Sequence, residues 1–519
     1  MTTSSLHLSN KLLVGEILKR ASHHAANKVA FSFKGRDITF QQLDDRSTHL
    51  AGWLQSQNVQ KNTKVAFMLR NSILFSEIAF GIALSGGVGV PINFRLTENE
   101  VSYILDNSDS EVVFVDKQYA SMVVAIAPSL GKLRKIVVVH AEEHNEHLIN
   151  YEDIFNELVT YVPDDTLTDD DASFIMYTSG TTGKPKGAVL SHRNLYFNTM
   201  NVVYEGKSIK GESNILVAPQ FHIAGLVLTM KGVLTTGTTV VLEEFNPVEI
   251  LHVIEKEKIN TIFLVPAMWN FLFQVPNIAD YDLSSITTCA TGAAISPVEL
   301  KQTILKYFKN AMLFDHFGQS ETTATTTCLV GADALRKPES VGRPFANVEV
   351  RIVDEEMNDV PVGEIGEIVY RGPTIMKEYY NNPDETAEAF RGGWFHSGDL
   401  VKADKEGFIY VVDRINDMII SGGENIYPAE IEAILYQMPE ILECAVLGVP
   451  DDEWGERVIA TVVLKEGKIL SKEAILNYCG DKLASFKKPR EVVFIEQLPR
   501  NTTGKVLKYQ LRETMMQEN

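Results

Sequence analysis

The sequence predicts an α/β protein built from at least two domains. The first is a large N-terminal domain of parallel-rich sheets with helices, and the second a small α+β domain at the C-terminus. Three observations predict this. The chain has 519 residues, more than a single hydrophobic core accommodates, because cores stop growing at roughly 250–300 residues. Apolar β-branched runs alternate with helix-length segments, the pattern of strand–helix–strand units and hence of parallel sheets. After about Val341 the pattern changes to alternating strands separated by turns.

In chain order, strands are expected at 65–69, 112–115, 136–139, 239–242 and 261–265, each an apolar run rich in Val and Ile. Helices are expected at 72–85 and 247–258. The apolar stretch 73–92 is the most membrane-like of the chain. It contains Glu77, four glycines and Pro91, so a buried helix running into a buried strand explains it better than a membrane span. Residues 348–353 and 366–371 alternate in polarity and predict a smaller, partly antiparallel β region. Residues 399–417 read as strand, turn, strand. A helix opens at Pro428, with Glu430 and Glu432 in its first turn. The domain boundary is placed near Arg414–Asp417, giving domains 1–415 and 416–519.

Composition excludes several classes. The formal net charge is -20, which repels nucleic acid. The acidic run 164–171 reads as a solvated linker face. The four cysteines, Cys289, Cys328, Cys444 and Cys479, lack metal-ligand or disulfide-framework spacing and fit a reducing cytoplasm. Residues 1–20 lack the features of a secretory leader. A cytoplasmic protein with no integral membrane span is expected, with peripheral membrane contact left open.

The most informative segment runs from Tyr177 to Gly187. It holds three glycines, four hydroxyl residues (Thr178, Ser179, Thr181, Thr182) and two lysines, Lys184 and Lys186. Gly180 and Gly183 free the backbone to turn N–H groups toward an anion. Hydroxyls add short donors and reach a metal ion, and the lysines add point charges. Such a loop suits a polyphosphate. Its spacing differs from the common Gly-x4-Gly-Lys-Ser/Thr loop, and its flanks read as strands, so no helix N-terminus assists.

At this loop the sequence resembles the adenylate-forming superfamily of acyl-CoA synthetases, peptide-synthetase adenylation domains and luciferases, in its AMP-forming acyl-CoA synthetase branch. The resemblance runs from about Lys28 to Lys505. It is carried by motifs in the family's order: Pro219–Gly225, Thr291–Ala294, Phe317–Glu321, Trp394–Asp399, Asp413–Asp417, Ser421–Asn425 and Pro499–Lys505. It implies a small β-barrel-like region within the large domain and a mobile C-terminal domain. It also implies ATP and Mg²⁺, with a carboxylate and coenzyme A as small-molecule substrates, and leaves a homodimer open.

The chemistry such an enzyme needs is clear. A carboxylate is a poor acylating agent, because its leaving group would be oxide. Transfer to the α-phosphate of ATP installs AMP as a good leaving group. Catalysis then means bringing two anions together and stabilising phosphoryl charge, and the sequence shows no Gly-x-Ser-x-Gly nucleophile elbow. The resemblance implies that Lys505 bridges the carboxylate and the α-phosphate, and that Glu321 and Thr181 hold Mg²⁺, whose preference is for hard oxygens. It places the nucleotide on residues 178–184, Lys186, Gly292, Ala293, Phe317, Gly318, Ser320, Asp399 and Arg414, with Asp399 accepting the ribose hydroxyls. Phe317 stands where relatives have Tyr, and Ser320 where they have Thr. His222, Gly225, Trp269 and Ala294 are implied for the acyl pocket, with His222 as its gate. Gly422, Gly423 and Lys487 are implied for the coenzyme A tunnel, and Asn416 for a hinge that is usually Asp or Lys. The apolar surroundings favour a medium- to long-chain fatty acid; Ala293, where fatty acyl ligases often have Gly, keeps an aryl acid open, and adenylation for a carrier protein is a further alternative.

Overall fold

A computed structural model of the chain describes residues 11–141, 148–178, 184–294, 296–422, 424–451, 454–480, 482–500 and 506–517. The chain divides into two compact units. The larger comprises Met1–Val350 and Tyr370–Phe395, the smaller Arg351–Val369 and His396–Asn519.

The larger unit holds two sheets. One has eight strands in the spatial order Glu378–Tyr379, Lys186–Ser191, Ala172–Thr178, Val88–Pro91, Lys64–Met68, Ser110–Asp116, Lys135–Val139 and Ile149–Asn150. From Ala172–Thr178 onward every pairing is parallel; the two at the other edge are antiparallel. The other sheet has nine strands. Its parallel centre runs Met312–Phe317, Thr288–Gly292, Thr261–Phe263, Asn214–Leu216, Thr239–Val241 and Val29–Phe33. Antiparallel strands close both edges. The continuous apolar runs are explained by this arrangement, because a parallel strand covered on both faces has no solvent side to mark with polar residues.

The stretch 73–92 is a helix and then a strand. The Ser72 hydroxyl accepts the Phe75 N–H at 3.3 Å, and Gly86, at φ 84°, ends the helix Ile73–Ser85. Every residue of this helix is buried. No helix among the described residues is long and apolar enough to cross a membrane.

The smaller unit holds most of a four-stranded sheet, Glu349–Val353, Gly366–Arg371, Phe395–Ala403 and Ile409–Arg414. A second sheet follows, built on the long antiparallel pair Ile441–Asp451 and Gly455–Leu464. The helix Pro428–Leu435 buries Ile431 and Leu435 against this sheet, in one core with Val446 and Val458. All four cysteines are buried, and burial pushes each thiol above its ordinary range.

A buried ion pair braces the core of the larger unit. Glu77, 1% exposed, sits mid-helix in Ile73–Ser85. It accepts from Arg46 Nε at 2.7 Å and from the Tyr151 hydroxyl at 2.5 Å. Removing one partner of such a pair leaves an uncompensated buried charge. Arg46→Ala is therefore expected to lower the unfolding free energy by about 3–5 kcal/mol in urea titration, and Arg46→Met with Glu77→Leu to recover most of it. An Arg46→Ala variant as stable as the parent would contradict this account of the core.

Candidate active site

The phosphate-type loop is the turn of an antiparallel hairpin. Ala172–Thr178 pairs with Lys186–Ser191, and Thr178 stands opposite Lys186. The turn itself, with Ser179, Gly180, Thr181, Thr182 and Gly183, lies outside the described residues. Lys184 is exposed, its ammonium 5.6 Å from the Tyr103 ring centroid. Lys186 is largely buried and pairs with Glu385 at 2.6 Å, so a phosphate reaching Lys186 competes with a carboxylate already there.

Glu321 follows the strand Met312–Phe317 in a 3-10 turn, Ser320–Thr322, and is buried. Its Oε1 accepts from the Tyr379 hydroxyl at 3.0 Å and from Thr178 Oγ1 at 3.4 Å. Among the described residues no cation is paired with it. A buried carboxylate held only by neutral donors is costly unless a cation completes it, so this donor set fits a hard divalent ion such as Mg²⁺. The turn is braced from behind. The Asn198 amide donates to the carbonyls of Thr322 and Thr325, at 3.3 and 2.8 Å, and the Thr323 hydroxyl donates to Thr374 O at 2.7 Å. Gly318 permits the fold-back of the segment, since a Cβ there would lie 2.3 Å from the Ala324 carbonyl oxygen. Phe317 and Ser320 are half-buried at the same corner.

Gly292, Ala293 and Ala294 begin the turn after the neighbouring strand, Thr288–Gly292, whose Gly292 pairs with His316. The structure thus brings 292–294 beside Phe317. Ala293 sits at φ 67°, a left-handed conformation that costs a non-glycine residue roughly 1–2 kcal/mol. The side chains of Ala293 and Ala294 are exposed.

His222 is the N-cap position of the helix Ile223–Leu234. The preceding loop is pinned by buried amides. Asn71 donates to the carbonyls of Ala218 and Leu242, both at 3.1 Å, and accepts from Gln220 N at 2.8 Å. Gln220 in turn accepts from Ser72 N and donates to Ser76. Gly225 allows the helix to start against this loop, because a Cβ there would lie 2.1 Å from the Pro219 carbonyl oxygen. The His222 ring lies 5.1 Å from Phe221, which meets Phe94 edge-on at 5.4 Å. Burial pushes His222 down to about 4, with Arg95 adding to the effect, so it stays neutral near pH 7. Trp269 is wholly buried, donating to Ala290 O at 3.3 Å and packing on Phe273 and Phe308. It lies beneath the strand that ends at Gly292.

In the smaller unit, Asp399 and Arg414 face each other across an antiparallel pair. Arg414 Nε lies 2.5 Å from Asp399 Oδ1, and Asp399 is buried. Glu367 shapes the turn before it: one oxygen meets His396 Nδ1 at 2.7 Å and the other accepts Gly398 N–H at 2.9 Å. Asp413 accepts the N–H groups of Arg414 and Ala429 at 2.7 and 2.9 Å. Between those two lies Asn416, exposed in the 3-10 turn Ile415–Asp417. Gly422, at φ 61°, donates its N–H to Trp454 O at 2.7 Å. Lys487 is paired with Glu430 at 2.7 Å. Gly423 and Lys505 lie outside the described residues.

Sequence reasoning missed Tyr379, Glu385, Asn198, Gln220 and Glu367. Each acts through a contact distant in sequence, and none sits in a glycine- or lysine-rich run that would mark it.

The family model for AMP-binding enzymes matches residues 18–380, and that for the AMP-binding enzyme C-terminal domain matches 430–505. The chain is 36% identical over 495 residues to a feruloyl-CoA synthase of Amycolatopsis sp, covering 95% of this chain and 96% of that one. It is 34% identical over 515 residues to the long-chain-fatty-acid–CoA ligase FadD13 of Mycobacterium tuberculosis, covering 96% and 98%. The fold superposes on the o-succinylbenzoate-CoA synthetase MenE of Bacillus subtilis, solved with ATP and a magnesium ion, with a TM-score of 0.84, 28% identity and coverage of 95% and 98%.

Burial also pushes His192 and His316 down to about 4. The folded chain therefore leaves three histidines neutral where the unfolded chain, titrating near 6.5, takes up protons. Through these histidines, unfolding free energy is expected to gain a contribution that rises with pH between about 4 and 6.5 and levels off above. His222→Phe should flatten that rise; an unchanged slope in urea titrations across this range would show that His222 titrates normally in the fold.

Proposed function

The chain belongs to the AMP-binding enzyme family, and from that premise we propose that it is an AMP-forming acyl-CoA synthetase. It joins a carboxylate to ATP, releasing pyrophosphate, and then passes the acyl group from the adenylate to coenzyme A, releasing AMP. The observation that carries this reading is Glu321: a buried carboxylate with no cation partner among the described residues, hydrogen-bonded to the first residue of a polyphosphate-type loop. Mg²⁺ held by Glu321 and Thr181 would neutralise phosphate charge at that point.

The chain's own residues divide the work. The hairpin turn 178–184, with Lys186, offers donors to the triphosphate. Gly292, Ala293, Phe317, Gly318 and Ser320 form the nucleotide wall of the larger unit. Asp399 accepts the ribose hydroxyls, held in place by Arg414 and by the turn that Glu367 fixes. Lys505 supplies the ammonium between the two reacting anions, bringing them together and stabilising phosphoryl charge. His222 gates the acyl pocket and need not titrate in the reaction; Gly225 and Ala294 line the pocket, and Trp269 backs it. Rotation at Asn416, between domains 1–415 and 416–519, exchanges Lys505 for Gly422 and Gly423, which with Lys487 line the coenzyme A tunnel.

For the acid we propose a medium- to long-chain fatty acid, supported by the apolar run from Phe221 to Leu226 and by the similarity to the mycobacterial fatty acid ligase. An aryl acid is the second reading. The Phe94–Phe221–His222 ring cluster and the similarity to the feruloyl-CoA synthase favour it.

Pyrophosphate release with ATP, Mg²⁺ and a carboxylate panel, with and without coenzyme A, tests the reading. Coenzyme A-stimulated release with an acyl-CoA product is expected. Release without such a product would point to a carrier protein, and no turnover on C6–C18 acids would remove the fatty acid. Lys505→Ala is expected to slow adenylation roughly 10²–10³-fold while thioester formation from supplied acyl-adenylate falls much less; equal losses would contradict the division of labour.

A further inference from the structure

We propose that Thr291, Ser296, Lys301 and Asp315 form a buried clamp that fixes the turn 292–294, making them positioning residues for adenylation; the inference rests on the reaction proposed above. The residues on either side of the turn bond to each other, next to one carboxylate. Asp315 lies on the strand Met312–Phe317, directly opposite Thr291. Thr291 Oγ1 lies 3.2 Å from Ser296 Oγ, and the Ser296 hydroxyl is close enough to the Asp315 carboxylate to favour its charged form. Thr291 precedes the turn and Ser296 follows it. Asp315 is anchored by Lys301 of the helix Val298–Tyr307, whose ammonium lies 2.8 Å from Oδ2 and donates to Pro338 O at 2.7 Å.

Two features set this cluster apart from ordinary packing. The Lys301 side chain is only 1% exposed, and a buried ion pair adds little stability over an apolar pair of the same shape, so its worth lies in geometry. The clamp also encloses Ala293 at φ 67°. A non-glycine residue stays in that conformation only where its surroundings over-determine it. With the clamp intact, the backbone of 292–294 is held beside Phe317 in one shape. Without it, Ala293 relaxes toward the right-handed region and the nucleotide wall shifts.

The test compares the parent with Ser296→Ala and with the charge-free pair Lys301→Met plus Asp315→Leu, each alone and combined with Ala293→Gly. Pyrophosphate release is measured on the best acid of the panel, alongside thermal unfolding and thioester formation from supplied acyl-adenylate. The clamp variants are expected to unfold near the parent's temperature and to lose roughly 10–100-fold in kcat/KM for ATP, the scale of a small misplacement in a positioned site. Ala293→Gly should recover about fivefold in the clamp variants, because glycine enters the left-handed region without penalty. Unchanged kcat/KM in both clamp variants would overturn the inference while leaving the reaction intact. A loss that follows thermal stability and that Ala293→Gly does not relieve would also overturn it. A parent that releases no pyrophosphate on any acid would overturn the reaction itself, and the inference with it.

Discussion

A buried carboxylate has to be held in place without being neutralised, and among the described residues Glu321 is held by two neutral donors. Its two hydroxyl partners come from different elements: Thr178 ends the strand that leads into the phosphate-type turn, and Tyr379 lies on the short edge strand of the same sheet. Glu321 itself follows a central strand of the other sheet. One side chain therefore joins the two sheets of the larger unit at the corner where the nucleotide elements meet. Much of the surrounding order serves that corner. Asn198 holds the turn's carbonyls, Met376 N–H bonds to the Glu321 carbonyl at 2.8 Å, and Asn194 ties down the carbonyls of Pro373 and Ile375. Amide side chains suit the task because they satisfy buried backbone carbonyls without adding charge to a site that must accept polyanions.

The smaller unit uses a different device. Asp399 is paired with Arg414 across two strands, and its orientation is inherited from the Glu367-capped turn before it. Asp413 then spans the 3-10 turn that contains Asn416, accepting one N–H on each side. The exposed turn and its bracketing carboxylate give the proposed rotation a defined local origin.

The parallel sheets were legible because their strands are covered on both faces and so appear as uninterrupted Val- and Ile-rich runs. The helix Ile73–Ser85 was legible from its apolar length, with Glu77, the glycines and Pro91 arguing against a membrane span, although it has no amphipathic stripe. The edge strands were not: Arg343–Pro344, Glu378–Tyr379 and Ile149–Asn150 are two residues each, too short to carry a period. At the site, motif order marked the residues proposed to face a nucleotide. It did not mark those that hold them. Tyr379 reaches Glu321 across 58 positions, Glu385 reaches Lys186 across 199, and Asn71 meets Gln220 across 149. Such pairs arise from the sheet order, which no local pattern encodes. The buried Lys301 is a similar case, since a lysine in a helix reads as solvent-facing until its partner strand is known.

An enzyme that makes thioesters also makes reagents that acylate thiols. Exchange requires a thiolate that can reach the activated carbonyl. Cys289, Cys328, Cys444 and Cys479 are all buried, and burial keeps each thiol protonated. A thioester released from this chain therefore meets no competent sulfur of its own, and the only nucleophilic thiol in the proposed reaction is the one that coenzyme A brings.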